Sequence, residues 1–391
     1  MPPSPALQSL LARPGVEALR HSRIREVANA GEGRDVLAFW FGEPDEETPE
    51  FIRQAAIASL NAGETFYSHN LGIPPLRQAI AEYVTRLHRP TTVDQVAVTT
   101  SGMAAVQLCA QALLEPGDRA IVVTPEWPNV VETPKIVNAR AITVSLTPSP
   151  SGWTLDLDRL LDALTPETRA LFINSPNNPT GWTMTSEDRD AILERCRKQG
   201  TWLVTDDAYE RLYYDGDGTP PSFLDVAGPT ERVICANTFS KAWLMTGWRL
   251  GWLVVPEQII PSLAKLIEYS TSCTPVFIQR GGVAAITRGE PVIARTVERF
   301  RNARDFLVRE LRQIRGVEAP TPAGAMYSFF RVAGVNDSLA FCKKLVTEVG
   351  LGLAPGVAFG PEGEGFLRWC FASTQDRLAD GVARLRRALQ D

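Results

Sequence analysis

Along the first two-thirds of the chain, hydrophobic positions come in short solid blocks, at Ala120–Thr124, Ala170–Asn174, Trp202–Thr205, Val233–Ala236 and Gly251–Val255. Each block is too short for a helix, is bounded by turn residues, and reads as a strand buried on both faces. Between them the period lengthens: Met103–Leu114 predicts a helix stopped by Pro116-Gly117, and Glu187–Lys198 a charged helix. Val93–Val98 reads as an extended run leading into Thr99-Thr100-Ser101-Gly102. Strands interleaved with helices predict an α/β fold, a largely parallel sheet with helices on both faces. Such sheets place ligands at strand ends. After about residue 285 the pattern changes to long helical stretches, Pro291–Arg315 and Ser338–Val349, with strand-like runs at Tyr327–Val332 and Phe366–Phe371. These predict a smaller α+β lobe. No internal repeat or long linker interrupts the pattern, and the one biased segment is the proline-rich start.

Length and charge narrow this picture. At 391 residues the chain exceeds the ~250–300 at which one core usually splits, so two lobes are expected. Lys and Arg number 40 against 45 Asp and Glu, a formal charge of −5 with no basic run, which argues against a nucleic-acid partner. Met1-Pro2-Pro3-Ser4-Pro5 lacks a charged start followed by an apolar core, and no stretch offers 18 uninterrupted apolar residues. Neither secretion nor membrane spanning is expected, and the cytoplasm is the expected compartment. Six cysteines, none at Cys-x-x-Cys spacing, read as reduced thiols. Three histidines, at 21, 69 and 88, form no ligand-like pair, so no metal site is expected. His69, two residues after Tyr67, reads as a loop residue, with a place near the active site as the alternative.

The chemistry concentrates in Asn237-Thr238-Phe239-Ser240-Lys241-Ala242-Trp243-Leu244-Met245-Thr246-Gly247-Trp248-Arg249. A lone amine among hydroxyls, with an arginine eight residues on, suits a phosphorylated aldehyde: the amine condenses with the carbonyl, and hydroxyls plus guanidinium take the phosphate. A surface lysine is the plainer reading of that window alone. Three further segments bear on the choice: Ser175-Pro176-Asn177-Asn178-Pro179-Thr180-Gly181, Asp206-Asp207-Ala208-Tyr209 after an apolar run, and Leu367-Arg368 near the C-terminus. With these in order, from Gly42-Glu43-Pro44-Asp45 to Arg368, the chain resembles the pyridoxal-phosphate aminotransferases of fold type I, class I/II, the aspartate aminotransferase superfamily.

The resemblance implies a three-layer α/β/α large domain over residues 42–285 and a discontinuous small α+β domain from 1–41 and 286–391. It also implies pyridoxal 5'-phosphate as cofactor. Lys241 would anchor that cofactor covalently and then shuttle a proton at the substrate α-carbon. Asp206 would hold the pyridine nitrogen protonated, with a turn-capping carboxylate as the alternative. Asn178 and Tyr209 would donate to the phenolic oxygen, and Trp127 would stack on the ring. The phosphate would lie among Ser101-Gly102-Met103 at a helix start, Thr238 and Arg249. Tyr67 would reach the neighbouring subunit's phosphate, which makes the active unit a homodimer. Arg368 would clamp the substrate α-carboxylate, since an arginine in the apolar run Phe366-Leu367-Arg368-Trp369-Cys370-Phe371 is costly without a partner. Asn178 and the backbone around Gly42 would share that carboxylate.

The expected activity is transfer of an amino group between an L-α-amino acid and a 2-oxo acid by a ping-pong cycle. Elimination, cyclisation or oxidation on the same machinery is the alternative, and a noncatalytic binding protein of the same fold is the alternative of another class. Phe39-Trp40-Phe41, Trp127 and Met326-Tyr327 suggest an aromatic-friendly pocket, though residues of this kind are more often core. No arginine is assignable from sequence to a second substrate carboxylate.

Overall fold

The computed structural model describes residues 12–149, 151–216 and 218–390; the proline-rich start lies outside the described residues. The five short apolar blocks and the run at 93–98 supply six strands of a seven-stranded sheet, β1 (Val96–Thr99), β2 (Arg119–Thr124), β4 (Thr168–Asn174), β5 (Trp202–Asp206), β6 (Val233–Thr238) and β7 (Gly251–Val254). The seventh, the edge strand β3 (Arg140–Ser145), is absent from the sequence reading because its positions are largely not buried. Among the described residues its order is β1-β7-β6-β5-β4-β2-β3. β7 runs antiparallel to both its neighbours, and every other pairing is parallel. β1, β6 and β7 are buried at every position, as strands covered on both faces must be. The sheet is therefore mostly parallel within an α/β fold, as the sequence pattern predicts.

This topology determines where chemistry can occur. Because β1, β2, β4, β5 and β6 run the same way, their C-terminal ends share one edge, and Thr99, Thr124, Asn174, Asp206 and Thr238 are the last residues of those strands. Every motif singled out from the large sheet begins within a few residues of that edge.

A second sheet faces it. β8 (Val317–Glu318), β9 (Tyr327–Val332), β10 (Ala354–Pro355) and β11 (Phe366–Cys370) are ordered β8-β9-β11-β10 and antiparallel. Arg368 sits on an inner strand, opposite Phe329 on one side and Ala354 on the other. The helix Glu290–Arg312 buries Ile293, Thr296, Phe300, Ala303, Leu307 and Leu311, a spacing of three and four residues that defines one apolar face. From the other end of the chain, Leu37–Ala38 pairs in parallel with Leu351–Gly352. That pairing carries the following segment, Phe39 to Gly42, towards the edge of the large sheet.

Two element boundaries differ from the sequence reading by three residues. Val93–Gln95 is a turn of 3-10 helix rather than strand. Gln95 Oε1 accepts from Thr92 N at 3.2 Å, and this local capping bond holds the backbone away from the ladder until Val96. The helix expected to reach Arg315 ends at Arg312 because the chain turns through Gly316 at φ 81° into β8. Among the described residues no helix is long and apolar enough to cross a membrane.

Candidate active site

A cavity of about 420 Å³ lies where the strand ends of the large sheet meet the inner strands of the small one. Lys241, three residues past the end of β6, lines it, and its Nζ donates to the Gly42 carbonyl at 2.8 Å. Burial, helped by the nearby charges of Arg368 and Arg249, lowers this amine to about 8. At neutral pH a sizeable fraction is then uncharged and nucleophilic, against almost none for an ordinary lysine. Asp206 lines the same cavity from the end of β5. Burial raises its carboxyl to about 6, against the opposing pull of the Ala208 N–H at 3.1 Å and the Lys241 charge.

Tyr209 follows in the same turn. Its hydroxyl shares a 2.7 Å hydrogen bond with the Tyr327 hydroxyl, and its ring lies 5.8 Å from Lys241 Nζ. Burial holds both phenols well above their ordinary range, so both stay protonated donors at any working pH. Asn178 is positioned through its own backbone: its N–H donates to Asn174 Oδ1 at 2.8 Å, and Asn174 Nδ2 donates to the Asp206 carbonyl at 2.6 Å. The ends of β4 and β5 are thereby tied together.

Another wall presents helix N–H groups and a guanidinium. Ser101 caps the helix Gly102–Leu113, its Oγ accepting from Ala104 N at 2.9 Å, which leaves the first N–H groups of that helix at the cavity. A Cβ on Gly102 would lie 3.1 Å from Thr238 Cβ, so the close approach of helix and strand depends on glycine there. Arg249 has a left-handed backbone, φ 53°, a conformation costing about 1–2 kcal/mol for a residue with a side chain. It directs the guanidinium to Thr246 O at 2.7 Å and Ser240 Oγ at 3.5 Å.

Arg368 is the most telling group. It is 2 % exposed, it donates to Asn178 Oδ1 at 3.0 Å and to the Trp40 carbonyl, and its Nε has no partner among the described residues. The Tyr327 and Phe359 rings pack on its guanidinium at 4.4 and 4.8 Å. No described carboxylate lies within 4.0 Å of it. A buried cation with aromatic faces and neutral acceptors alone is strongly destabilising unless an anion is brought to it.

This geometry coincides with a family assignment. The family model for aminotransferase class I and II matches residues 34–385. The chain belongs to the class I and II aminotransferases. It is 31% identical to an aspartate aminotransferase of Pyrococcus horikoshii over 95% of both chains. It is 34% identical to a probable aspartate/prephenate aminotransferase of Aquifex aeolicus over 92% of both. A solved aspartate aminotransferase of Thermotoga maritima superposes with a TM-score of 0.90 at 31% identity, covering 97% of this chain and all of the other.

Of the residues singled out from sequence, the cavity of this aminotransferase is lined by Gly42, Gly102, Met103, Trp127, Asn178, Asp206, Tyr209, Thr238, Lys241, Arg249 and Arg368. Ser101 stands behind it as the helix cap. Tyr67 is not brought in: it is 91 % exposed and away from its own chain's cavity. His69 stays in its loop, its Nδ1 accepting from Leu71 N at 3.2 Å. The suspected aromatic pocket divides, with Phe41, Trp127 and Tyr327 lining the cavity and Phe39 and Met326 packed in the core.

Sequence reasoning missed several lining residues. Glu126, 1 % exposed, accepts from Trp127 N at 2.7 Å and Asn177 Nδ2 at 3.2 Å. Burial and then the Asp206 charge push its carboxyl well above the usual carboxylate range, against the opposing hydrogen bonds from Trp127 and Asn177. Its position beside Trp127 was the available signal. Ser22, Ile24 and Arg25 also line the cavity. Arg25 lies 5.7 Å from the Phe41 ring and has no carboxylate partner among the described residues. An exposed arginine in an amphipathic helix gives no sign in sequence that packing against the distant helix Ser338–Val349 will bring it there.

Proposed function

We propose that this aminotransferase uses pyridoxal 5'-phosphate to move an amino group between an L-α-amino acid and a 2-oxo acid in two half-reactions. The observation that carries the reading is the buried Arg368 guanidinium, lacking an acid of its own, in the same cavity as an amine lowered to about 8. An α-amino acid brings the missing carboxylate, and fork geometry binds it through two parallel hydrogen bonds. The donor set suits the cofactor as well: Ser101-Gly102-Met103, Thr238 and Arg249 for the phosphate, Trp127 for the ring face, Asn178 and Tyr209 for the phenolic oxygen, Asp206 for the ring nitrogen. When bound, the cofactor supplies the carbonyl that takes up the amino group and a ring that accepts the electron pair left at the α-carbon.

The remaining work belongs to the protein's own residues. Arg368, with Asn178 and the Gly42 backbone, orients the substrate so that its α-hydrogen faces the lysine. Lys241 holds the cofactor at rest and moves a proton at the α-carbon. Its lowered basicity suits both directions of that transfer near neutral pH. Asp206, whose carboxyl burial raises to about 6, would be the anion that keeps a proton on the ring nitrogen, a role a cation held beside it would favour. Tyr67, exposed beside the equally exposed Phe66, supports a homodimer in which it serves the neighbouring site. A large domain over residues 42–285 and a small one from 1–41 and 286–391 are supported by the two separate sheets, which fall within those ranges, and the six free cysteines support a reducing, cytoplasmic setting.

A short dicarboxylic substrate is a second reading, favoured by Arg25. Of the four cations lining the cavity it is the one without an assigned partner. The experiment is a panel of amino donors against 2-oxoglutarate, oxaloacetate and pyruvate, with the cofactor spectrum recorded after each donor alone. Conversion to the amine form by donor alone, reversed by the 2-oxo acid, is expected. Release of ammonia without that conversion would favour elimination or oxidation.

A further inference from the structure

A second cavity, of about 340 Å³, abuts the first, and Ser22, Met103 and Asn129 line both. One weak contact spans the neck between them, Asn129 Nδ2 donating to Met103 Sδ at 3.4 Å. A thioether is a poor acceptor on a flexible side chain, so this contact is easily displaced by something larger. Beyond the neck lie Pro128, Ile136, Val357 and Ala358. The ionic groups around the chamber are mostly committed elsewhere. Arg20 and Lys135 both donate to Glu132 Oε1 at 2.8 Å, and Arg23 pairs with Glu26 at 2.8 Å. His21 is the further titratable group, at an exposed position. Most of the surface the chamber offers a ligand is apolar, with Glu132 Oε2 the buried oxygen that has no hydrogen-bond partner among the described residues.

We infer that this second cavity is a subsite for the substrate side chain, and that the enzyme accepts L-α-amino acids with long, unbranched, apolar side chains whose tails pass Met103 and Asn129 into it. The inference rests on the proposed roles of Lys241 and Arg368 in holding the reacting end. Arg25 lines the first cavity alone and so bears on short dicarboxylic acids, not on this chamber.

The test is a homologous series of donors, alanine, norvaline, norleucine and 2-aminooctanoate, with one fixed 2-oxo acid. Each methylene transferred into the chamber should raise kcat/KM by roughly fourfold. Gln107 is exposed on the helix Gly102–Leu113 and lines the second cavity but not the first, so Gln107→Trp fills the chamber without touching the reacting end. It should cost 2-aminooctanoate about tenfold or more while leaving alanine within about twofold. A wild-type kcat/KM that stays flat or falls beyond norvaline overturns the inference. So does a Gln107→Trp enzyme that slows short and long donors alike, or neither. Calorimetric binding of butyrate, hexanoate and octanoate needs no turnover and must tighten with length in the wild type but not in Gln107→Trp. Absence of that length dependence in the wild type, with alanine turnover intact, overturns the chamber alone, whereas absence of any transamination falls on the reading beneath it.

Discussion

The turn after β5 presents two pairs of residues to opposite sides, and the two sides are treated differently. Asp206 and Tyr209 line the cavity, where acids, amine and guanidinium do not satisfy one another. Asp207 and Glu210 enter a closed network instead. His88, whose side chain is 1 % exposed, contacts Asp225 Oδ1 at 2.8 Å and Glu210 Oε2 at 3.3 Å; Tyr83 donates to Glu210 Oε1 at 2.6 Å, and Cys235 Sγ to Asp207 Oδ2 at 2.8 Å. The same contrast separates two buried arginines. Arg304 is matched by Asp305 at 2.8 Å and the Pro322 carbonyl at 3.0 Å, whereas Arg368 has no acid. Buried polar groups that the protein completes hold the fold together, and those it leaves incomplete are waiting for a ligand.

The sharpest break on the incomplete side is Lys241→Ala. Loss of the covalent anchor and proton carrier should lower turnover by about 10⁴-fold or more while the protein stays folded and binds the cofactor noncovalently. Stopped assays together with the cofactor spectrum check both halves. Next comes Asp206→Asn, which keeps shape but removes charge. A rate loss of about a hundredfold, ~2.7 kcal/mol of barrier, is expected with little change in melting temperature. A loss below about tenfold would remove Asp206 from the ring nitrogen. Arg368→Lys keeps charge but loses the planar fork. Steady-state kinetics should show kcat/KM falling about ten- to hundredfold for every α-amino acid, with the resting cofactor spectrum unchanged. Selective loss for one side-chain class would move Arg368 to the side-chain pocket instead.

The smallest effect on rate, and the largest on stability, belongs to the closed side. His88→Gln leaves Glu210 short of its cation, and breaking a buried pair in this way typically costs about 3–5 kcal/mol. Turnover of the protein that remains folded should change by less than about tenfold, because His88 touches nothing in the cavity. The pH dependence has a definite sign. Burial alone would depress the imidazole, but hydrogen bonds to Asp225 and Glu210 raise it from 6.5 to about 10. A group raised on folding contributes fully below its unfolded value, so this stabilisation is complete below about pH 6.5 and is lost as pH rises through about 10. Asp207, raised by burial and the Glu210 charge to about 7, adds a loss of the same sign at lower pH. Urea denaturation at pH 6 and pH 10 should show a larger drop for the wild type than for His88→Gln.

Much of this was legible in the chain, for identifiable reasons. Short apolar blocks bounded by turns located six of the seven strands of the large sheet to within a few residues, because strands buried on both faces leave a solid signal; the edge strand β3, only partly buried, left none. Lys241, Asp206 and Asn178 were legible because each follows such a strand within a few residues. Arg368 stood out because a cation in an apolar run must be explained. The closed network was not legible: His88 looked like an unpaired histidine, and its partners at Glu210 and Asp225 are more than a hundred residues away. Arg25 was hidden for the same reason, since its helix, Arg23–Ala30, is held against the distant helix Ser338–Val349, with Lys343 Nζ donating to Glu26 Oε1 at 2.6 Å. The antiparallel direction of β7 was also beyond the pattern, because burial on both faces is the same for either direction.

The central claim is that Lys241 sits in an incomplete site built around one cofactor. Its most direct test is borohydride reduction of the protein with pyridoxal 5'-phosphate at pH 8, followed by peptide mass mapping of wild type and Lys241→Ala. The account predicts one pyridoxyl group per chain on the peptide containing Lys241, none in the variant, and loss of labelling when a donor amino acid is added before the reductant. Stoichiometric labelling of a different lysine, or equal labelling of the variant, would contradict it.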